Sequence, residues 1–310
     1  MNNRDDQRGR VAGLTLLAIV IIFVLLAWSD EFAVARWALL LVDFWLLALL
    51  LVPTLLLQPV LLGRRDWGLL RWWTAGAVLV LALDAAAPSD LPTISWLVLG
   101  EWLAYVVALA ILFAATVGAS PWRVVTHKGR EADPAGWRRF LPGLPLLIGT
   151  YAAFVGSSLW FVLDVAAVRT VGEAVELASR EGLTGPINDL CVGAVRPEYF
   201  AQVGQVIALL LVAVGLERRF FERLLKEPVP RALTMFTVSL LCVGEAMAIS
   251  ALPSPNEGCG NVLSVRHEYT AFVLTLLACF IALATLVWAL VAVLPTSADR
   301  PSDIPDEADH

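Results

Sequence analysis

Three carboxylic acids, Asp43, Glu101 and Glu245, lie within long apolar stretches of this 310-residue chain. A charged carboxylate at the centre of a membrane helix costs about 2.5 to 3.5 kcal/mol on insertion scales. Residues of this kind usually face a bundle interior, a water-filled cavity or a partner charge. We therefore interpret the three as a candidate proton or cation site, with structural ion pairing as the alternative.

Three arginines near the ends of apolar stretches are possible charge partners for these acids: Arg36, Arg196 and Arg266. Two further acids, Asp84 and Asp164, fall close to the ends of such stretches, where simple hydration at the membrane surface is expected. The segments predicted on the outer side of the membrane are rich in Asp and Glu, so they would concentrate cations at the outer surface. The sequence alone leaves open whether arginine neutralises the buried acids or whether they line a wet path.

One polar motif occurs twice, at a constant offset of seventy residues. After Cys191, and again after Cys259, the chain contains Val-Arg-x-Glu-Tyr-x-Ala and continues into an apolar run. The matched polar positions are Arg196 with Arg266, Glu198 with Glu268, and Tyr199 with Tyr269. Glutamate in a first helical turn favours the positive end of the helix, and tyrosine favours the membrane interface. The shared register indicates a duplicated helical hairpin, in which the motif is architectural or contacts an ion or ligand.

The four cysteines divide into two kinds. Cys242 and Cys279 lie within apolar stretches and are expected to act as small core residues. Cys191 and Cys259 fall in loops predicted on the outer, oxidising side of the membrane, which predicts a disulfide bond between them. Two separate thiols in ordered loops are the alternative.

The apolar stretches have the length of membrane helices. Hydrophobic residues make up 59% of the chain and charged residues 16%, whereas soluble domains carry about 25% charged residues. The length of these runs is close to the ~20 residues that a helix needs to cross a bilayer core. They therefore predict an all-α polytopic membrane protein with about eight transmembrane helices. The second half is predicted to be a tandem repeat of helical hairpins. The predicted spans are 11–29, 33–57, 69–87, 94–118, 144–165, 199–216, 232–252 and 269–294. Together they form one transmembrane domain (11–294), between a polar N-terminus (1–10) and a disordered acidic tail (295–310).

The basic residues predict which side of the membrane each loop occupies. With the N-terminus inside the cell, the inner segments before the tail carry sixteen Lys and Arg residues, and the outer segments carry five. Cytoplasmic loops are the ones that carry an excess of Lys and Arg. We therefore expect a multi-pass protein of the plasma (inner) membrane with both termini in the cytoplasm.

No catalytic or cofactor motif is evident in the sequence. The three histidines fall outside the centres of the predicted spans, so a bis-histidine haem is not supported and no cofactor is expected. The HExxH zinc-protease signature and a glycine-rich phosphate loop are absent from the sequence. We expect neither enzymatic activity nor a nucleic-acid partner. The lipid bilayer is the expected environment of the helices.

The deep carboxylates favour a proton- or cation-linked transporter or channel. The alternative is a non-catalytic membrane sensor or scaffold subunit, with a disulfide-tied outer surface and a protein partner. A convergence of Asp43, Glu101 and Glu245 in a hydrated cavity would favour transport, whereas separate burial against arginines would favour a structural role. The transported species, the oligomeric state and the physiological role do not follow from the sequence.

Overall fold

The chain folds into helices, most of them long. The computed structural model describes residues 13–14, 17–18, 20–22, 24–25, 36–62, 66–86, 96–158, 179, 195–216, 228–252 and 262–293. In chain order the helices are α1 (Arg36–Leu62), α2 (Trp67–Ala86), α3 (Trp96–Thr116), α4 (Pro121–Val125), α5 (His127–Ala132), α6 (Pro134–Phe140), α7 (Leu144–Ser158), α8 (Pro197–Leu216), α9 (Pro228–Ala251) and α10 (Val262–Val293). No β-strand occurs among the described residues, so the predicted all-α class is confirmed.

Several of these helices are suited to a lipid environment. Among the described residues, five helical segments are long and apolar enough to cross a membrane: Trp67–Ala86, Pro134–Ser157, Pro197–Leu216, Pro230–Ala251 and Val265–Leu290. Large apolar side chains also cover the outside of the bundle, with Leu49 and Leu209 each 69% exposed. Such a surface indicates a membrane-embedded protein. The first predicted span lies mostly outside the described residues, so the number eight stays a prediction, as do the terminal segments 1–10 and 295–310.

Local chemistry explains where α2 begins and where α3 ends. Asp66 precedes α2, and its carboxylate accepts a hydrogen bond from the backbone N–H of Gly68 at 2.9 Å, as an N-cap residue does. At the end of α3, Gly118 has a φ of 74°. The N–H of Ala119 there donates to the carbonyl of Ala114 at 2.8 Å, which satisfies a carbonyl that the helix leaves without a partner.

The basic segment between α3 and α7 folds into the three short helices α4 to α6. Arg139 secures this segment, because its guanidinium donates to the carbonyl of Val117, beside the end of α3, at 3.3 Å. The guanidinium of Arg130 lies 5.0 Å from the ring centre of Trp137, a cation–π contact. The connection between the two membrane helices is therefore ordered.

Helix α10 lies at the centre of the second half of the molecule, where it packs against α7, α8 and α9. Helices α7 and α10 approach closely at Gly149, where a Cβ atom would lie 2.6 Å from the Cα of Ile281. In the first half, α2 packs against both α1 and α3. The halves meet where α3 packs on α7, and there the rings of Trp102 and Phe154 stack with centres 4.1 Å apart.

Two features differ from the predicted pair of equivalent hairpins. Helix α10 begins at Val262, seven residues before the predicted start of the eighth span, so its copy of the motif lies inside the helix. The helix extends because buried side chains recur at helical spacing, at Val265, Glu268, Tyr269 and Phe272. In addition, α9 packs along α10, whereas the described part of α7 packs against α10 rather than along α8. The tandem repeat therefore stays a prediction.

Candidate functional site

Two aspartates from neighbouring helices lie side by side in the first half of the bundle. Asp43 on α1 is 0% exposed and Asp84 on α2 is 3% exposed. Each aspartate lies on the buried stripe of its helix, where buried residues recur at spacings of three and four. On α1 the buried residues Leu47 and Leu50 follow Asp43, and on α2 the buried residues Ala77 and Val80 precede Asp84. The carboxyl group of Asp84 is the ionisable neighbour that interacts with Asp43. The inward stripes of α1 and α2 therefore bring two acids into one buried position.

A tyrosine from a third helix completes this cluster. The hydroxyl of Tyr105 on α3, a residue that is 1% exposed, donates to Oδ1 of Asp84 at 2.7 Å. Apart from the neighbouring carboxyl group, no described residue supplies a hydrogen bond to either oxygen of Asp43 or to Oδ2 of Asp84. The buried acceptors of the pair thus outnumber the donors around them. Asp43, Asp84 and Tyr105 are called the aspartate cluster below.

The aspartate cluster has a definite chemical requirement. Two carboxylates held together away from water repel each other, so the pair is stable when a proton or a cation neutralises one of them. A shared proton would also supply the missing donor, because a protonated carboxyl group donates one hydrogen bond. Among the described residues no ion pair supplies a lysine or arginine to either aspartate. The geometry is suited to holding one proton or one small cation.

Glu101 and Glu245 do not join the aspartate cluster. Glu101 lies one turn before Tyr105 on α3 and is half-buried, with no ionisable group acting on it among the described residues. Glu245 lies on α9 in the other half of the bundle, where it faces Gly204 of α8 and the thiol of Cys279 on α10. Asp43, Glu101 and Glu245 thus occupy three separate environments.

The two copies of the repeated motif contact each other across the second half. Glu268 on α10 is buried, and its carboxylate accepts a hydrogen bond from the backbone N–H of Val195 at 3.2 Å. The hydroxyl of Tyr199 lies 3.0 Å from that of Thr275 on α10, and its ring meets Phe272 edge-on at 5.2 Å. These contacts attach the start of α8 to α10.

The remaining motif residues occupy unequal environments. Glu198 is exposed in the first turn of α8, whereas its counterpart Glu268 is buried. Tyr269 is buried beside Phe272, with their ring centres 6.1 Å apart. Arg196 and Arg266 are both half-buried. The matched sequence positions therefore do not perform matched structural roles.

Some of the predicted residues cannot be placed. The side chain of Arg36, together with Cys191 and Cys259, lies outside the described residues, so the predicted disulfide bond stays a prediction. Among the described cysteines, Cys242 is exposed and Cys279 is buried, and both are free thiols. Cys279 thus has the expected core position, whereas Cys242 is on the bundle surface.

Asp84 and Tyr105 are the site residues that sequence reasoning missed. Asp84 was expected to be hydrated because it lies near the end of an apolar stretch. Its spacing from Trp73, Ala77 and Val80 would have placed it on one helical face with residues that the structure buries. Tyr105 carries no comparable signal, because its partner is set by the packing of α2 on α3.

Comparison of this chain with protein-family models, with curated proteins and with solved structures found no match.

Proposed function

We propose that this protein is a proton-linked membrane transporter whose proton site is the aspartate cluster. The observation that supports the proposal most directly is the burial of Asp43 beside Asp84 with too few donors for their oxygens. Ionisable residues inside membrane bundles commonly mark proton or ion pathways. A small cation in place of the proton would satisfy the same charge requirement, so the two are variants of one mechanism.

The three residues would have different roles in this mechanism. Asp43 and Asp84 would hold one proton between them while the cluster is closed to water. Tyr105 would orient Asp84 by its hydrogen bond and leave Asp43 as the group that exchanges the proton. A movement of α1 against α2 would separate the carboxyl groups, and water would then allow the proton to leave. Exposure to one side of the membrane at a time would make the release directional.

Proton flux through the purified protein tests the proposal. In liposomes that contain a pH-sensitive dye, with the membrane potential clamped by valinomycin and potassium, the protein should dissipate a pH gradient faster than protein-free liposomes do. Asp43→Asn and Asp84→Asn keep the side-chain size and remove the titrating group, so each should lower the rate at least about tenfold. Glu198→Gln is the matched control and should leave the rate unchanged, because Glu198 is exposed and distant in the chain. Flux equal to that of empty liposomes, or unchanged flux in both Asn variants, would contradict the proposal.

A sensor or scaffold subunit is the second candidate function, and one observation favours it. The contacts of Glu268 with Val195 and of Tyr199 with Thr275 make the motif a fastening between helices. The aspartate cluster could likewise fasten α1, α2 and α3 through a permanently shared proton, since polar side chains hydrogen-bond between membrane helices. Under this alternative the Asn variants would change the unfolding midpoint, and the unmodified protein would transport no protons across the membrane.

A further inference from the structure

An open cleft separates the end of α9 from the beginning of α8, on the other half of the molecule from the aspartate cluster. Its volume is about 240 Å³. The lining is mainly apolar and includes Phe200, Gly204, Gln205, Glu245, Ile249 and Leu252. Ile249 is 57% exposed and Leu252 is 40% exposed, so the mouth of the cleft opens outward from the bundle.

Glu245 is the acid in this cleft, and its carboxylate is incompletely satisfied. Its Oε2 atom is buried and has no hydrogen-bond partner among the described residues. Among the described residues that line the cleft there is no lysine, arginine or histidine. Gly204 lies opposite, and a methyl group there would lie 3.8 Å from both carboxylate oxygens. The absence of a side chain on Gly204 therefore leaves space directly beside the acid.

The chemistry of the walls limits what this cleft can bind. A metal ion such as Ca²⁺ requires about six to eight oxygen ligands. Among the described lining residues, only Glu245 and the amide of Gln205 offer side-chain oxygen. A neutral apolar molecule would leave the carboxylate without a partner, which is unfavourable in an apolar site. An anion would be repelled by the carboxylate. A cation with an apolar body satisfies both the acid and the walls.

We infer that the cleft binds an organic cation, whose ammonium group pairs with Glu245 and whose apolar body packs against Ile249 and Leu252. The ammonium group could belong to a free amine or to the headgroup of a choline lipid, because the cleft opens on the bundle surface. This binding site goes beyond the proposed proton site, and it is tested by binding alone, so its success or failure is distinct from that of proton transport.

Calorimetric titration of the purified full chain in a non-ionic maltoside detergent tests the inference. The probe is benzyltrimethylammonium, and its neutral counterpart is neopentylbenzene, in which carbon replaces the charged nitrogen. We expect saturable binding of the cation and no saturable binding of the neutral molecule. Glu245→Gln should weaken cation binding at least about tenfold, because a charge-assisted contact is lost. Glu198→Gln should bind as the unmodified protein does.

A second pair of variants tests the space beside the acid without changing the charge. Gly204→Leu should abolish cation binding by filling the cleft, whereas Gly215→Leu should not, since nothing lies within 4 Å of a Cβ atom at Gly215 on the same helix. Competition with a short-chain phosphatidylcholine identifies the source, since displacement of the probe supports a lipid headgroup and no displacement supports a free amine. Equal binding of the cation and its neutral counterpart, or no binding of the cation to the unmodified protein, would overturn the inference.

Discussion

The hydroxyl of Tyr105 satisfies one of the buried carboxyl oxygens of the aspartate cluster. It donates to Asp84 at 2.7 Å in a position that is fully buried. Removal of the donor would leave another buried carboxyl oxygen without a partner, which costs about 1 to 3 kcal/mol. This tyrosine therefore influences both the stability of the bundle and the state of the carboxyl pair.

We expect Tyr105→Phe to lower the free energy of unfolding by about 1 to 3 kcal/mol, measured by denaturant titration in detergent. Tyr151→Phe on α7 is the matched control, because Tyr151 is half-buried and its hydroxyl makes no hydrogen bond within the described residues. That variant should remain within about 0.5 kcal/mol of the unmodified protein. Equal losses in the two variants would show that the hydrogen bond to Asp84 contributes nothing.

At the scale of single residues, sequence reasoning identified the depth of a side chain better than its partner. Asp43 was selected because it lies far inside an apolar stretch, and it is fully buried. The position of Asp84 along the chain, near the end of an apolar stretch, predicts hydration, whereas its position around the helix places it on the buried stripe of α2. The partner of each acid depends on how α1, α2 and α3 are rotated about their axes, which hydropathy does not report.

At the scale of helices, the position of a residue relative to the helix start determines what its charge does. Glu198 lies in the first turn of α8, where a carboxylate interacts with the unpaired N–H groups of the helix. Glu268 lies further inside α10 and instead accepts a hydrogen bond from Val195, which precedes α8. A shift of one helix boundary therefore converts one motif position from an exposed residue into a contact between elements.

We expect Glu268→Ala to destabilise the protein by about 1 to 3 kcal/mol, because it leaves the N–H of Val195 without its acceptor in a buried position. Glu198→Ala should cost about 0.3 to 1 kcal/mol through the helix end alone. Unfolding of both variants in the same detergent would measure the difference. Equal losses would indicate that the two motif copies perform the same role after all.

Local chemistry sets the start of α2 and the end of α3. Asp66 and Gly118 are typical start and stop residues, and α2 and α3 begin and end beside them. Helix α10 begins at Val262, seven residues before the predicted start of the eighth span, although His267 and Glu268 are polar. Their neighbours continue the buried stripe of the helix, so packing on α8 and α9 extends it.

At the scale of the whole molecule, the bundle consists of two groups of helices that each hold one acidic feature. The group of α1, α2 and α3 holds the aspartate cluster, and the group of α7 to α10 holds the cleft at Glu245. Sequence reasoning anticipated an all-α membrane bundle, because composition and run length determine that class. The contacts between α3 and α7 that join the two groups were not anticipated, because they have no signature in the chain.

The proposed orientation predicts which residues a membrane-impermeant maleimide can reach. In a cysteine-free variant, Glu198→Cys at the start of α8 should react in intact cells. Arg123→Cys in α4 should react only after permeabilisation, because the excess of basic residues predicts a cytoplasmic location for α4 to α6. Both positions are exposed, so burial does not limit either reaction. The opposite pattern of labelling would reverse the orientation.

The stack of Trp102 on Phe154 has a mechanical consequence. Trp102 and Tyr105 are neighbours on α3, so a rotation of α3 that moves the hydroxyl away from Asp84 must also displace the stacked ring. Phe154 would transmit that displacement to α7. At Gly149 the backbones of α7 and α10 lie in close contact, and no side chain between them could adjust to absorb the movement. Helix α10 in turn supports α9, the helix that carries Glu245. Protonation of the aspartate cluster in one half and occupancy of the cleft at Glu245 in the other would therefore be linked through a series of packed helices.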